Sequence, residues 1–309
     1  MTRRVVVIGS ANVDLVVRVP RRPDGGETLI GGDLQQLPGG KGANQAAAAA
    51  RCGAEVAFVG RVGADANGDY LRGRLAGAGV DVSLLRSVER PTGTAIILLT
   101  PDGENSIVVS PGANGAFGPA EGEDVGAALR GAHVAVLSLE IPRETAFGVA
   151  GAAVDAGVRV VLNAAPATRL GGETLSLCDP LIVNEHEARE ALGLGADHAA
   201  AADYPRLAEL LRTAGARSVV ITLGGEGAVV ADAGGITRVP AYRVPVTDTT
   251  GAGDAFVGAV AAELAAGAAL SEAVRFATAV SAVSVQRVGA QASYAERSEV
   301  EAFIAAAER

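Results

Sequence analysis

The sequence predicts an α/β fold: a doubly wound, mostly parallel central sheet flanked by helices, with a small β-sheet lid. Three observations support this prediction. Short apolar runs rich in β-branched residues recur along the chain, helical segments separate several of them, and two pairs of hairpin-like strands interrupt the alternation. Because such an alternation can fill this length as one unit, we expect residues 1–309 to form a single domain.

The central strands are predicted from short runs that are apolar at nearly every position. A strand covered by helices on both faces has this continuous pattern, whereas a half-exposed strand alternates apolar and polar residues. The runs that fit are residues 5–8, 56–59, 134–137, 158–162, 181–183 and 219–223.

Helices are predicted where longer, alanine-rich segments lie between these runs and in the last third of the chain. They cover residues 43–52, 66–78, 143–156, 204–214, 252–266, 271–286 and 297–307. Because strands and helices alternate, the strands are expected to be parallel and connected by helices.

The lid is predicted from two pairs of short strands that break this rhythm. One pair, within residues 15–37, consists of residues 15–20 and 27–37. The other, within residues 94–110, consists of residues 94–100 and 105–110. A Pro-Asp-Gly sequence, typical of turns, connects the strands of each pair. We expect these strands to form a small sheet that projects from the main body.

The composition excludes several classes of function. The net charge of −9 and isoelectric point near 5.0 argue against a nucleic-acid partner, which would require a basic surface. Every apolar run ends before about 18 residues, so we expect no membrane span. Neither Cys52 nor Cys178 lies in a zinc-type pattern, and the N-terminus does not resemble a signal peptide. We therefore expect a cytoplasmic protein.

A glycine-rich loop at residues 248–254, Asp-Thr-Thr-Gly-Ala-Gly-Asp, leads into a predicted helix. Three of its backbone N–H groups would point into one concavity at the positive end of the helix dipole, forming an anion hole. These groups belong to Gly251, Ala252 and Gly253. Asp254, immediately beside them, is placed to act as a general base. An ordinary helix cap is the alternative, and Asp248 and Thr250 favour the functional interpretation.

A second glycine-rich turn, Pro-Gly-Gly-Lys-Gly-Ala-Asn-Gln at residues 38–45, also opens a helix. It carries Lys41, the only lysine in a chain whose other basic side chains are arginines. Lys41 and Asn44 fall on one helical face and could grip adjacent hydroxyl groups. The alternative is a turn with a solvated lysine. Asn12 and Asp14, just after the first strand, form a weaker candidate, because such residues often only shape a turn.

These segments closely resemble the two signatures of the ribokinase family of carbohydrate kinases, at residues 39–45 and 248–254. Asn-Glu-His-Glu at residues 184–187 is similar to the NxxE motif of that family. Residues 222–227 resemble its nucleotide loop, and residues 289–293 resemble its C-terminal ion loop. The motifs occur in the family's order, so the resemblance covers essentially the whole chain and implies a ribokinase-like fold.

The resemblance implies a role for individual residues. Asp254 would be the general base, with Gly251, Ala252 and Gly253 as the anion hole. The residues implied to hold the sugar are Asn12, Asp14, Gly40, Lys41, Asn44, Glu140 and Asp254.

It also implies binding sites for ATP, Mg²⁺ and K⁺. Asn184 and Glu187 would organise the phosphates and magnesium, the latter through water. The nucleotide positions are Thr222, Gly224, Gly225, Gly227, Gly253 and Thr278, where Thr278 stands in place of the Asn or His that relatives often carry near adenine. The implied potassium site is Asp248, Thr250, Ser284, Arg287, Gly289 and Ser293, several through backbone carbonyls.

The implied reaction is ATP-dependent phosphorylation of D-ribose at its 5-hydroxyl, giving D-ribose 5-phosphate, in a homodimer that forms through the lid. The nearest alternatives are kinases of 2-deoxyribose, fructose or adenosine, which would use the same base and anion hole. A non-catalytic sugar- or nucleotide-binding regulator is a further alternative. Asp254 argues against it, because a protein that only binds needs no general base.

Overall fold

The computed structural model describes residues 4–101, 105–118, 122–195, 198 and 202–309. Its strands are β1 (Arg4–Ile8), β2 (Asn12–Arg18), β3 (Gln35–Gly39), β4 (Glu55–Gly63), β5 (Val80–Asp81), β6 (Leu85–Val88), β7 (Gly93–Leu99), β8 (Asn105–Ser110), β9 (Val134–Ser138), β10 (Arg159–Asn163), β11 (Leu181–Asn184), β12 (Val219–Thr222), β13 (Ala228–Asp232) and β14 (Gly235–Val239).

The helices are α1 (Lys41–Arg51), α2 (Ala66–Gly77), α3 (Gly122–Leu129), α4 (Arg143–Asp155), α5 (Gly172–Leu177), α6 (Glu185–Leu192), α7 (Tyr204–Thr213), α8 (Ala252–Ala265), α9 (Leu270–Ser284) and α10 (Arg297–Ala307). Short 3₁₀ turns cover Gly112–Ala116, Gly224–Glu226 and Gln291–Ser293.

The central sheet has the order β14-β13-β12-β11-β10-β9-β1-β4-β5, and β6 also pairs with β4. Across the sheet, neighbouring strands pair in parallel from β12 to β5 in this spatial order. At the other edge, β13 and β14 form an antiparallel hairpin. The chain moves to opposite sides of β1 to form β4 and β9, so the strand order reverses there. The predicted doubly wound, mostly parallel sheet is confirmed.

Two hydrophobic cores lie on opposite faces of this sheet. Along β1, Val5 and Val7 belong to the core beneath α1, α8 and α9, while Val6 and Ile8 belong to the core beneath α4 and α7. All four are fully buried. Burial on both faces is the reason that the central strands lack alternation.

The second sheet has the order β3-β2-β7-β8, with β2 and β7 parallel and the outer pairs antiparallel. The predicted strand within residues 27–37 is largely wrong, because regular pairing begins only at Gln35. Two adjacent glycines and an aspartate at residues 31–33 are poor strand formers. β2 instead begins earlier than expected, with Asn12 paired to Gly39 and Gly93.

Helices α1 and α8 pack unusually closely on one face of the central sheet. Alanines 46–49 of α1 are all buried, and Ala48 and Ala49 lie against Gly258 of α8. A Cβ atom added to Gly258 of α8 would lie 2.5 Å from the Gln45 carbonyl oxygen. The small side chains therefore bring the two backbones together. Although α8 is apolar on nearly every side, none of the helices in the described ranges is long and apolar enough to cross a membrane.

We expect Gly258→Ala to lower the free energy of unfolding by about 1–3 kcal/mol, because the added methyl group overpacks the interface between α1 and α8. Gly148→Ala in α4 is the matched control, since a Cβ there meets nothing within 4 Å. It should raise stability by about 0.5–1 kcal/mol through helix propensity. Urea denaturation measures both. Equal effects of the two substitutions would contradict the close packing.

Candidate active site

The candidate site lies at the carboxyl edge of the central sheet, where the strand order reverses around β1. Ligands of open α/β sheets bind at such a point. Polar residues end or follow five adjacent strands there: Ser10 after β1, Glu140 after β9, Asn163 on β10, Asn184 on β11 and Thr222 on β12. The N-termini of α1 and α8 contribute the two glycine-rich turns.

Asp254 lies in the first turn of α8 with 8% of its surface exposed. Each of its carboxylate oxygens accepts one amide hydrogen bond, Oδ2 from Asn44 Nδ2 and Oδ1 from Gln45 Nε2, both at 3.0 Å. Burial raises the pKa of Asp254, while Lys41 and the two amides oppose that rise. The carboxylate is therefore held in one orientation within a largely desolvated site.

The predicted anion hole lies at the start of α8. Gly251 is the residue before the helix and has a left-handed backbone with φ of 74°. A side chain there would also collide with the Tyr294 hydroxyl, which donates to the Gly251 carbonyl at 3.0 Å. Ala252 N donates to the Thr249 carbonyl at 3.2 Å, so in this structure that N–H is engaged within the loop. Gly253 follows in the first turn, where N–H groups have no intrahelical acceptor, and its exposed backbone lines the adjoining clefts.

Lys41 and Glu140 meet at the start of α1. Glu140 Oε2 accepts hydrogen bonds from Lys41 N at 3.0 Å and from Ser10 Oγ at 2.6 Å. Burial alone would lower the pKa of the Lys41 ammonium, but the carboxylates of Asp254, Glu140 and Glu187 outweigh it and raise this pKa. Lys41 therefore stays charged. Gly40 precedes it with φ of 88°, and a Cβ there would lie 2.7 Å from Asn12 N.

Asn12 and Asp14 enter the site from β2. Asn12 is 3% exposed, and its Oδ1 accepts from Asn114 Nδ2 at 2.7 Å. Asn114 also bonds both backbone groups of Ala11, at 3.0 and 3.2 Å. Burial, with the negative charges of Glu140 and Asp254, raises the pKa of Asp14 to about 7. Carboxylates of Asp254, Glu140 and Glu187 therefore surround Lys41, and Asp14 lies near Glu140 and Asp254.

Three cavities meet this edge of the sheet. A central one of about 170 Å³ is lined by Lys41, Glu187 and Asp254. One of about 440 Å³ extends below the second sheet and is lined by Asn12, Glu140 and Asn114. The largest, about 600 Å³, shares Asn184, Thr222 and Gly253 with the central one. The arrangement can hold two ligands with the base and helix N-terminus between them.

The predicted nucleotide residues line the largest cavity: Asn184, Thr222, Gly224, Gly225, Gly227, Gly253 and Thr278. Gly227 is required by its φ of 97° and by the Val239 carbonyl oxygen, 2.0 Å from an added Cβ. The Thr278 hydroxyl donates to the Arg275 carbonyl at 2.8 Å, so its hydrogen is already used inside α9. The other wall is apolar, from Tyr242, Val244, Phe256 and Val285.

Asn184 and Glu187 form a reciprocal cap at the start of α6. Asn184 Oδ1 accepts from Glu187 N and Glu187 Oε2 accepts from Asn184 N, both at 2.8 Å. This leaves the second carboxylate oxygen of Glu187 for another partner beside the central cavity. The described residues contain no cluster of three or more metal-binding side chains. The donor set fits magnesium that is held mainly by phosphate oxygens and water.

The predicted potassium residues also come together. Asp248 Oδ1 accepts from Thr250 N and Oγ1 at 2.9 and 2.6 Å, and Oδ2 accepts from Gly289 N at 2.8 Å. Ser284 Oγ and Ser293 Oγ lie 2.7 Å apart. Burial would raise the pKa of Asp248, but the hydrogen bonds to it lower that pKa. The Arg287 side chain instead pairs with Glu299, leaving only its backbone for a cation.

The sequence did not identify several residues that the structure places around the base. Gln45 contacts Asp254 directly, Asn163 and Gln291 contact the two amides that bind it, and Asn114 contacts Asn12. Two of these residues could have been found from the sequence: Gln45 is next to Asn44, and Asn163 lies at the carboxyl end of a strand. Asn114 and Gln291 lie far from their partners along the chain, and the sequence offered no signal for their contacts.

Residues 2–297 match the profile of the pfkB family carbohydrate kinases. The chain belongs to the pfkB family of carbohydrate kinases. It is 37% identical to the ribokinase of Lactococcus lactis over 97% of this chain and 96% of that protein. It is 38% identical to the ribokinase of Bacillus subtilis, covering 98% and 99% of the two chains. The resemblance to carbohydrate kinases is confirmed.

The fold comparison agrees with this family assignment. The structure of Arabidopsis thaliana ribokinase complexed with ribose and ATP matches with a TM-score of 0.90 and 35% identity, over 98% of this chain and 99% of that one. The Thermotoga maritima ribokinase structure matches with a TM-score of 0.88 and 33% identity, over 97% and 99%. This pfkB-family chain therefore has the ribokinase-like fold that its motifs implied.

We expect the Asp14 carboxyl to make stability depend on pH. Its folded-state pKa of about 7 lies above the ordinary 3.8, so the folded state binds this proton more tightly than the unfolded chain. The stabilising contribution is present below the ordinary pKa and is lost as the pH rises to about 7. Asp14→Asn should therefore gain about 1–3 kcal/mol over the unmodified chain at pH 8 and little at pH 4.

Denaturant unfolding across this pH range measures the difference. Asp33→Asn, at an exposed position, controls for the loss of one negative charge. A difference between Asp14→Asn and the unmodified chain that stays constant with pH would contradict the expected titration.

Proposed function

We propose that this chain phosphorylates D-ribose on its 5-hydroxyl with ATP, producing D-ribose 5-phosphate and ADP. The single observation that supports catalysis most strongly is Asp254, a buried carboxylate held by two amides beside Lys41 and the N-terminus of α8. Full-length similarity to ribokinases supports ribose as the sugar. A non-catalytic binder would bury this carboxylate at a cost in stability without using it.

In the proposed reaction, Asp254 accepts the proton of the sugar hydroxyl as its oxygen attacks the γ-phosphorus of ATP. The bond between that phosphorus and the β,γ-bridging oxygen breaks, and ADP leaves with the electron pair. The N–H groups at the start of α8 and the Lys41 ammonium stabilise negative charge on the transferring group. Phosphoryl transfer depends mainly on such positioning and charge stabilisation.

Asn184 and Glu187 would hold one Mg²⁺ through water, and that ion would neutralise phosphate charge when bound. Asn12, Asp14, Gly40, Lys41, Asn44 and Glu140 would surround the sugar hydroxyls. The second sheet would act as a lid that covers the sugar and excludes water, which could otherwise accept the phosphoryl group.

The sugar preference tests the function directly. We expect a higher kcat/KM for D-ribose than for 2-deoxyribose, by about 10-fold or more, because each site group left without its hydroxyl partner costs about 1–3 kcal/mol. ADP release with ATP and magnesium measures the reaction. Equal kcat/KM for the two sugars, or preference for fructose or adenosine, would reject ribose as the substrate while leaving a sugar or nucleoside kinase.

Asp254→Asn tests whether Asp254 accepts the proton in the chemical step. It keeps the shape of the side chain and removes its basicity, so turnover should fall by about 10² or more while sugar binding remains. Near-normal turnover of this variant would show that another group accepts the proton.

We also propose that K⁺ binds between the loops carrying Asp248 and Gly289, which a hydrogen bond from Gly289 N to Asp248 Oδ2 joins, with oxygen atoms from Thr250, Ser284 and Ser293 among its ligands. Hard oxygen donors suit such a cation, and binding there would stiffen the loop that precedes the anion hole. Activity should be higher in potassium than in sodium at equal ionic strength. Equal rates in cation-free, sodium and potassium buffers would contradict this site.

Finally, we propose a homodimer that forms through the second sheet. Ile96 and Val108, paired across β7 and β8 on one face of this sheet, are 48% and 67% exposed. Contiguous exposed apolar residues mark association surfaces. Val108→Asp should therefore give a monomer in sedimentation velocity experiments, whereas Ile236→Asp, an exposed residue of β14 in the other sheet, should remain dimeric. A monomeric unmodified chain would contradict the proposal.

A further inference from the structure

Two chains of amide side chains end on the two oxygens of Asp254. In the first, Gln291 Nε2 donates to Asn44 Oδ1, and Asn44 Nδ2 donates to Asp254 Oδ2, both at 3.0 Å. In the second, Gln45 Nε2 donates at 3.0 Å to both Asp254 Oδ1 and Asn163 Oδ1. The contacts link residues from α1, α8, β10 and the 3₁₀ turn Gln291–Ser293.

An amide beside a carboxylate stabilises it only when the NH₂ end, rather than the oxygen, faces the carboxylate. Its oxygen and nitrogen occupy similar space, so a half-turn needs no extra room but replaces a donor by an acceptor. If Asn44 turned in this way, its oxygen would face Asp254 and its NH₂ would face the NH₂ of Gln291. Because Gln291 presents a donor, it holds the Asn44 nitrogen toward the base.

The second chain is fixed from a backbone group. Asn163 Nδ2 donates to the Ile182 carbonyl at 3.1 Å, and a carbonyl can only accept. The Asn163 oxygen must then face Gln45. Gln45 therefore meets an oxygen on each side of its nitrogen, which gives its two hydrogens to Asn163 and Asp254.

This orientation leaves the side-chain oxygen of Gln45 in an unfavourable position. The residue is fully buried, and its Oε1 has no hydrogen-bond partner among the described residues. An unpaired buried oxygen destabilises the folded state. An apolar side chain at this position would avoid that cost, so the useful part of Gln45 is its donor side, directed at Asp254.

We propose that Gln45, Asn163 and Gln291 are positioning residues that keep amide donors directed at Asp254, so that the base remains ionised and aimed at the sugar hydroxyl. The inference rests on the proposed function, because it takes Asp254 as the proton acceptor. Asn44 retains its second Nδ2 hydrogen for the sugar, which the same orientation presents to the site.

The base is surrounded by other ionisable groups, which the test must take into account. Burial raises the pKa of Asp254, and the Lys41 charge and the two amide hydrogen bonds oppose this rise. The remaining titratable groups around it are Asp14 on β2, Glu140 after β9, Glu187 on α6 and Tyr294. Since the substitutions below change none of these groups, a shift in the pH profile is assigned to the amides.

The first experiment is a double-mutant cycle on kcat at saturating ribose and ATP, using Gln45→Met and Asn163→Leu. We expect Gln45→Met to lower kcat by about 10- to 100-fold and Asn163→Leu by about 10-fold. If Asn163 acts through Gln45, the double variant should be no slower than Gln45→Met alone. Losses that multiply in the double variant would overturn the proposed chain.

The second experiment is the pH profile of kcat. Removing a donor from a carboxylate raises its pKa, so the acidic limb should move to higher pH by about 0.5–1 unit in Gln45→Met. Gln291→Met should shift it in the same direction with a smaller loss of kcat, and KM for ribose should change less than kcat in both. A merely structural defect would lower the plateau without moving this limb.

Gln286→Met is the matched control, since the Gln286 side chain, among the contacts of the described chain, donates only to the nearby Ala282 carbonyl. It should leave the limb in place. Gln291 lies in a half-buried surface turn, so its variant keeps the test valid even if Gln45→Met does not fold. An unmoved limb in Gln291→Met and Gln45→Met overturns the proposal, whereas an unmodified chain without sugar kinase activity overturns the proposed function itself.

Discussion

The close approach of α1 and α8 is the constraint on which the site depends. Gly258 and the alanines of α1 let the two helix backbones nearly touch, and the N-termini of both helices then open at the same edge of the sheet. Asn44 and Gln45 can reach Asp254 only because the two helices are so close together. A side chain of ordinary size between the helices would separate the proposed base from the groups that orient it. The close packing of α1 and α8 in the core is therefore also required for the chemistry proposed at the edge of the sheet.

The site holds several carboxylates and one lysine, so its charges do not form one-to-one ion pairs. Glu140, Glu187 and Asp254 lie around one ammonium group, and Asp14 lies near Glu140 and Asp254. Burial raises the pKa of Asp14, Glu187 and Asp254. Coulomb attraction to these carboxylates keeps Lys41 protonated despite its own burial. The acidic surroundings also explain why an anionic nucleotide would need the helix N-terminus and a divalent cation at the same place.

The sequence predicted what depends on local pattern. Continuous apolar runs identified the central strands, and glycine strings opening helices identified both the Lys41 turn and the Asp254 loop. The sequence predicts a strand over residues 27–34 that the structure does not form, because the second sheet has no continuous apolar signal to mark its limits. Contacts between Gln291 and Asn44, or Asn114 and Asn12, join positions more than 100 residues apart, and an amide has no periodicity that reveals its partner. Such contacts follow only from the assembled fold.

The single lysine has a practical consequence for chemistry on this protein. An amine-reactive reagent has one side-chain target in the whole sequence, the half-buried Lys41 beside Asp254. Apart from the terminal amine, amine labelling is therefore confined to the candidate active site, at a pH high enough to deprotonate Lys41, whose pKa is raised. Mass spectrometry of the labelled protein would measure the fraction of sites that hold a ligand, since a bound ligand shields the one lysine side chain that can react.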